Sequence, residues 1–254
     1  MVPIVMHHGL FGFGNLKAGP IEISYFHGID RAIANRGHRV IVSRVHPTAG
    51  VERRARELKE SILTNLPFLS PRGEKLLLIA HSLGGLDARF MLAHLDMAQH
   101  VEALLTITAP HRGSAYADYW MQHLGRHLGG QGLMKLLGLD VQALGDLTTD
   151  SCQRFNETVP DAPGVRYYSI SAACPQLQVP PFAMHSHKIV FKAEGENDGL
   201  VSVRSSRWGQ HLGVWPADHF HTINRRFAQN PPITDISPHY INAVRQIELD
   251  SQSQ

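Results

Sequence analysis

Apolar residues recur along the chain in two alternating rhythms. Short aliphatic and β-branched runs at Ile4–Met6, Arg39–Val45, Leu76–Ala80, Leu104–Thr108, Arg166–Ser171 and Lys188–Lys192 read as strands. Between them, Ile21–Arg36 and Val51–Leu66 carry helical spacing. In the second of these, Val51, Ala55, Leu58, Ile62 and Leu66 share one face, while Glu52, Arg53, Arg56 and Lys59 lie off it. Leu86, Phe90, Ala93 and Met97 repeat that pattern. Strand–helix alternation of this kind predicts βαβ units with right-handed crossovers and a mostly parallel sheet covered on both faces.

Residues 114–147 break the rhythm. The segment is rich in Tyr, Trp, Met and Leu, is interrupted by Gly125, Gly129, Gly130, Gly132 and Gly138, and is too apolar for a simple connector. It reads as a helical insertion, either a cap whose apolar face meets a greasy substrate or a pair of core helices. With it, residues 1–254 are expected to form a single domain. A C-terminal helix containing His239 is expected to end near Leu249, with a frayed Ser/Gln tail.

Composition narrows the function classes. An apolar fraction of 43% supports a sizeable core, and a net charge of +2 with no basic block argues against nucleic acid. Seventeen histidines make the charge sensitive to pH near the imidazole range. The two cysteines, Cys152 and Cys174, are too few for a disulfide framework, and a bond between them is the less favoured expectation. No apolar stretch approaches membrane-spanning length, which predicts no transmembrane segment. The opening residues, Val2-Pro3-Ile4-Val5-Met6, have no basic region or cleavage site. The expectation is a cytoplasmic protein, or a secreted one if a signal segment is removed.

The densest chemistry lies in Leu76-Leu77-Leu78-Ile79-Ala80-His81-Ser82-Leu83-Gly84-Gly85. An apolar run ends in a serine framed by small residues, and a helical pattern follows at once. This is the pattern of a nucleophile elbow, in which the backbone is so crowded that positions two before and two after the serine must be small. Ala80 and Gly84 meet that demand. A serine needs a base to take its proton and a third group to orient the base, in the chain order Ser, acid, His. Asp198, in the turn-rich Glu194–Val201 segment, is the leading acid, with Glu194 and Glu196 in reserve. His219 or His221 is the candidate base, and His239 fits less well. An oxyanion hole needs two backbone N–H groups aimed where negative charge develops. Leu83, after the serine, and Leu10, in the His7–Gly12 loop after the first strand, are the expected donors.

These segments together resemble the bacterial true lipases of the Pseudomonas, Burkholderia and Proteus type, within the α/β-hydrolases. The similarity runs through Pro3–Phe13, Tyr25–Ile29, Ala80–Gly85 with Arg89, Ala109–Ser114, Asn197–Val201 with Ser205-Ser206, and Asp218–Asn224. It implies an α/β-hydrolase fold, with residues 114–147 as a helical cap or lid, and it selects His219 over His221 as the base. It also implies that Arg54 braces the oxyanion loop. The implied activity is hydrolysis of a carboxylic ester, with an acylglycerol or similar lipid ester as substrate, contact with a lipid–water interface, and no cofactor. An acyltransferase or thioesterase with the same triad, or a non-catalytic binding protein that keeps the fold, are the alternatives.

The chain departs from the family where a structural calcium is usually held. An acid is usual two residues after the histidine, and here it is His221; the second acid has no counterpart, because residues 165–193 contain no Asp or Glu. Calcium needs oxygen ligands, so the site is expected to be lost, and a transition metal on His221 with His185 or His187 is disfavoured. Arg204 stands near where some members place a second disulfide cysteine.

Overall fold

The computed structural model describes residues 1–12, 16–18, 21–124, 141–227 and 234–252. Six strands form one parallel sheet: β1 (Ile4–His7), β4 (Val40–Val42), β5 (Leu76–His81), β6 (Val101–Ile107), β7 (Arg166–Ala172) and β8 (Gln210–Trp215). Their order across the sheet is β4-β1-β5-β6-β7-β8. Register is set at the centre, where Met6 lies opposite Ile79 and Ile79 opposite Leu105. A separate antiparallel hairpin pairs β2 (Leu16–Ala18) with β3 (Ile21–Ile23).

Alternation along the strands sends successive side chains to opposite faces, so a buried parallel strand needs apolar residues at every position. Ile4, Met6, Leu77, Ile79 and Leu105 point into one core with α1 (Ile29–Ala34) and α9 (Ser237–Gln252). Val5, Leu76, Leu78, Ala80 and Leu104 point into the other with α2 (Val51–Leu69) and α3 (Gly84–His94). The predicted face of α2 is buried at Val51, Ala55, Leu58 and Ile62. Fully burying each such Leu or Ile contributes about 1.5–3 kcal/mol. Five further helices are described: α4 (Ala115–Leu124), α5 (Val141–Gly145), α6 (Thr149–Thr158), α7 (Met184–Glu194) and α8 (Val203–Ser206). No described helix is long and apolar enough to cross a membrane.

Four sequence expectations change. Lys188–Lys192 is not a strand but part of α7, whose Ser186, His187 and Val190 turn inward at helical spacing. The helix expected over Ile21–Arg36 is confined to α1, because Ile21–Ile23 pairs as β3. Strand β8 was not anticipated. The C-terminal helix runs on to Gln252, and the Ser251 hydroxyl bonds Glu102 on β6. Of the insertion at 114–147, α4 and α5 are described and residues 125–140 lie outside the described residues. Cys152 and Cys174 are both free thiols, and burial pushes each up to about 12.

Candidate active site

Loops from several strands gather at the carboxyl edge of the sheet, where parallel α/β sheets place their ligands. Ser82 follows β5 at φ 55, a left-handed conformation that non-glycine residues adopt at a cost. The turn is held by its own backbone. The Ser82 N–H donates to Ile107 O at 2.9 Å, and Ser82 O accepts from Gly85 N at 2.9 Å. The neighbouring loop can pass only as glycine, since a Cβ on Gly9 would stand 2.8 Å from Ser82 Cβ.

Asp198 and His219 come from the two loops that flank β8. Asp198 Oδ1 accepts from the Leu200 and Val201 N–H groups at 2.9 and 2.8 Å, which turns Oδ2 toward His219. The His219 N–H donates to Asp198 O at 2.8 Å and fixes the His219 backbone beside the carboxylate. Asp198 Oδ2 is 2.7 Å from His219 Nδ1, and His219 Nε2 is 3.0 Å from Ser82 Oγ. A carboxylate can only accept, so Nδ1 carries the proton and Nε2 is left to accept from the serine hydroxyl. All three side chains are buried. Thr108, at φ 46, sets its hydroxyl 3.5 Å from His219 Nδ1.

The alternatives raised from sequence point elsewhere. Glu194 accepts from Ala115 N at 2.7 Å and from the Ser202 hydroxyl. Glu196 is exposed. His239 packs against Trp215 with ring centroids 5.5 Å apart. His221 is buried, and neither ring nitrogen has a hydrogen-bond partner.

Leu10 follows β1 and lines the same cavity as Ser82, and Leu83 stands between Ser82 and α3. Among the described residues, neither N–H has a hydrogen-bond partner, whereas the next one along the first loop, Phe11 N–H, is taken by Pro47 O at 2.8 Å. Arg54 ties both segments together. Its guanidinium donates to His8 O at 2.6 Å, to His46 O at 2.7 Å and to Asp87 Oδ2 at 2.8 Å. Asp87 lies on α3 and also meets His7 Nε2 at 2.9 Å. Burial raises the Asp87 carboxyl to about 6 against the opposing pull of Arg54. Burial, with Arg54 nearby, holds the His7 pKa well below the usual imidazole range.

Asp218 Oδ1 is committed to the N–H groups of Phe220 and His221, at 2.9 and 3.1 Å. The next position of interest carries an imidazole, and α7 with its preceding turn supplies no carboxylate before Glu194. Among the described residues, no three His, Cys, Asp or Glu side chains converge as a metal would require.

Ser82 and His219 open onto a cavity of about 530 Å³. Its walls are largely apolar, with Tyr116, Trp120 and Leu147 from the insertion region and Phe182, Phe220 and Phe227 from later loops. The three phenylalanines meet edge to face, with centroids 5.2 to 5.7 Å apart.

Comparison with known proteins places the chain among lipase relatives. Residues 50–130 match the model of the PGAP1-like alpha/beta domain. Triacylglycerol lipase 2 of Saccharomyces cerevisiae is 30% identical over 209 residues, covering 80% of this chain and 63% of the yeast protein. The chain thus spans less than two thirds of that relative. A triacylglycerol lipase of Vibrio cholerae is 31% identical over 258 residues, covering 87% of this chain and 79% of the relative. Among solved structures, the Staphylococcus hyicus lipase superposes with a TM-score of 0.77 at 15% identity, covering 100% of this chain and 97% of that one. A mature Bacillus licheniformis lipase gives 0.69 at 23% identity, covering 87% and 86%. At these identities the structural likeness establishes the fold.

Proposed function

The chain belongs to the triacylglycerol lipase family of α/β-hydrolases, and from that premise we propose that it hydrolyses carboxylic esters of lipids through Ser82, His219 and Asp198. The observation that carries this is the unbroken hydrogen-bond line from Asp198 through His219 to Ser82, ending at the apolar cavity. His219 Nε2 takes the hydroxyl proton as Ser82 Oγ attacks the ester carbonyl. Asp198 keeps the imidazole in the required tautomer and stabilises its charged form. The Leu10 and Leu83 N–H groups receive the developing oxyanion. His219 then protonates the departing alcohol, leaving an acyl group on Ser82. A water, deprotonated by the same nitrogen, releases the acid and restores the serine. The chemistry uses no metal.

A series of p-nitrophenyl esters from acetate to palmitate, with and without EDTA, tests this. Activity is expected to extend to long acyl chains and to survive chelation. A maximum confined to the shortest esters would remove the lipid assignment, and strong inactivation by EDTA would overturn the metal-free one. Ser82→Ala and His219→Ala are each expected to lower kcat at least a thousandfold, while His221→Ala retains activity. Loss in His221→Ala alone would reassign the base.

A further inference from the structure

A second hydrogen-bonded path joins the nucleophile to the base. The Thr222 hydroxyl lies 2.6 Å from His219 O and 2.9 Å from His81 Nε2. The His81 Nδ1 lies 2.9 Å from the Tyr25 hydroxyl. The polarity of this path follows from its ends. A carbonyl oxygen can only accept, so the Thr222 O–H donates to His219 O. With its one proton committed, Thr222 accepts from His81, which places the imidazole hydrogen on Nε2. His81 Nδ1 is then bare and accepts from the Tyr25 O–H.

We propose that Thr222 and His81 are positioning residues that hold His219 in register with Ser82. His81 is joined to Ser82 by a peptide bond, and Thr222 sits one tight turn beyond His219. The path therefore closes a ring: Ser82, His81, Thr222, His219 and back to Ser82 Oγ. Residues 81 and 222 are far apart in the chain, so the contact links the elbow to the histidine loop and serves more than the local turn. The side chains of His81 and Thr222 are both buried. From α9, the Tyr240 hydroxyl donates to Thr222 O at 2.8 Å and anchors the turn from behind. The His81 and His219 rings lie 4.8 Å apart. Burial and the neighbouring His219 keep His81 neutral, so no cation opposes the charge that His219 gains during the reaction.

The inference rests on the ester-hydrolase assignment above, and the experiment separates the two. The proteins compared are wild type, Ser82→Ala, Thr222→Val, Thr222→Ser, His81→Leu and the His81→Leu/Thr222→Val double variant. Each is assayed for kcat and KM on p-nitrophenyl butyrate, with a thermal melt alongside. Small misplacements of a reacting group cost about a hundredfold in rate. Thr222→Val is therefore expected to lower kcat by roughly ten- to a hundredfold with KM within about twofold. Thr222→Ser, which keeps the hydroxyl, is expected to stay within about threefold of wild type. In the His81→Leu background, the Thr222 substitution should cost less than about threefold more, because residues acting as one unit are not additive. A Thr222→Val kcat within about twofold of wild type, failure of serine to rescue, or multiplying losses in the double variant would overturn the inference. If Thr222→Val does not fold, His81→Leu decides: a tenfold fall in kcat at unchanged KM supports the brace, and wild-type kcat overturns it. An inactive wild type overturns both assignments. An active wild type with a dead Ser82→Ala and an unaffected Thr222→Val overturns this one alone.

Discussion

Gly84 illustrates how a single hydrogen atom governs the site. A Cβ at this position would stand 2.8 Å from His8 O and 2.9 Å from His7 Cδ2. The carbonyl cannot retreat freely, because Arg54 holds it at 2.6 Å, and it belongs to the loop that presents the Leu10 N–H. A methyl group there would displace one of the two N–H groups assigned to the oxyanion. Gly84→Ala is therefore expected to lower kcat by about two to three orders of magnitude, the usual cost of one lost oxyanion donor. KM on a soluble ester should change little. Steady-state kinetics beside a thermal melt checks this, and a folded variant with wild-type kcat would show that the loop tolerates the shift. Thr108 makes the complementary point. A buried β-branched residue at φ 46 is a strained choice, costing about 1–3 kcal/mol, and it is made beside His219.

At the scale of elements, Arg54 is the joint among three of them. It rises from α2, bonds the loop after β1 and pairs with Asp87 on α3, with both charged side chains fully buried. Removing one partner of such a pair strands the other, at a cost of about 3–5 kcal/mol. Arg54→Met should therefore shift urea unfolding by about that amount and depress kcat, because the oxyanion loop loses its tether. A shift under about 1 kcal/mol would mean that water replaces the guanidinium. Helix α2 was legible in the sequence because its apolar face recurs through several turns, and β5 because a fully buried strand is a continuous apolar run. The order of Ser82, Asp198 and His219 could be read for the same chemical reason that the reaction needs all three. Other elements were hidden. Ile189-Val190-Phe191 has strand propensity, yet tertiary packing makes it helical, with Val190 inside and Phe191 out. Strand β8 carries His211 and Gly213 and is partly exposed, so neither alternation nor a buried run betrays it. The contact between His81 and Thr222 has no local signature at all, since folding alone brings those residues together.

Across the whole molecule, buried histidines set the response to acid. Burial, reinforced by neighbouring cationic or imidazole groups, holds His7, His81 and His111 well below the usual imidazole range and His8 at about 3. Each is neutral in the fold but takes up a proton in the unfolded chain below about pH 6.5. A folded pKa depressed in this way contributes stability that is present above the unfolded value and is lost as pH falls toward the folded one. Each such group removes about 1.4 kcal/mol per pH unit below 6.5. Asp87 and Asp218 act in the opposite sense. Burial raises both to about 6, so their contribution is present at low pH and is lost as pH rises through that value. Near pH 5 these four histidines outnumber the two carboxyls, so among these six groups unfolding takes up about two protons, and His27, His211 and His221, also lowered by burial, add to the uptake. The melting temperature is therefore expected to fall steadily from pH 7 to pH 5, well above the range where ordinary carboxylates titrate. Calorimetry across that window, in buffers of matched ionic strength, measures the slope directly. A melting temperature that stays level or rises would mean that the histidines are hydrated or paired in the folded protein.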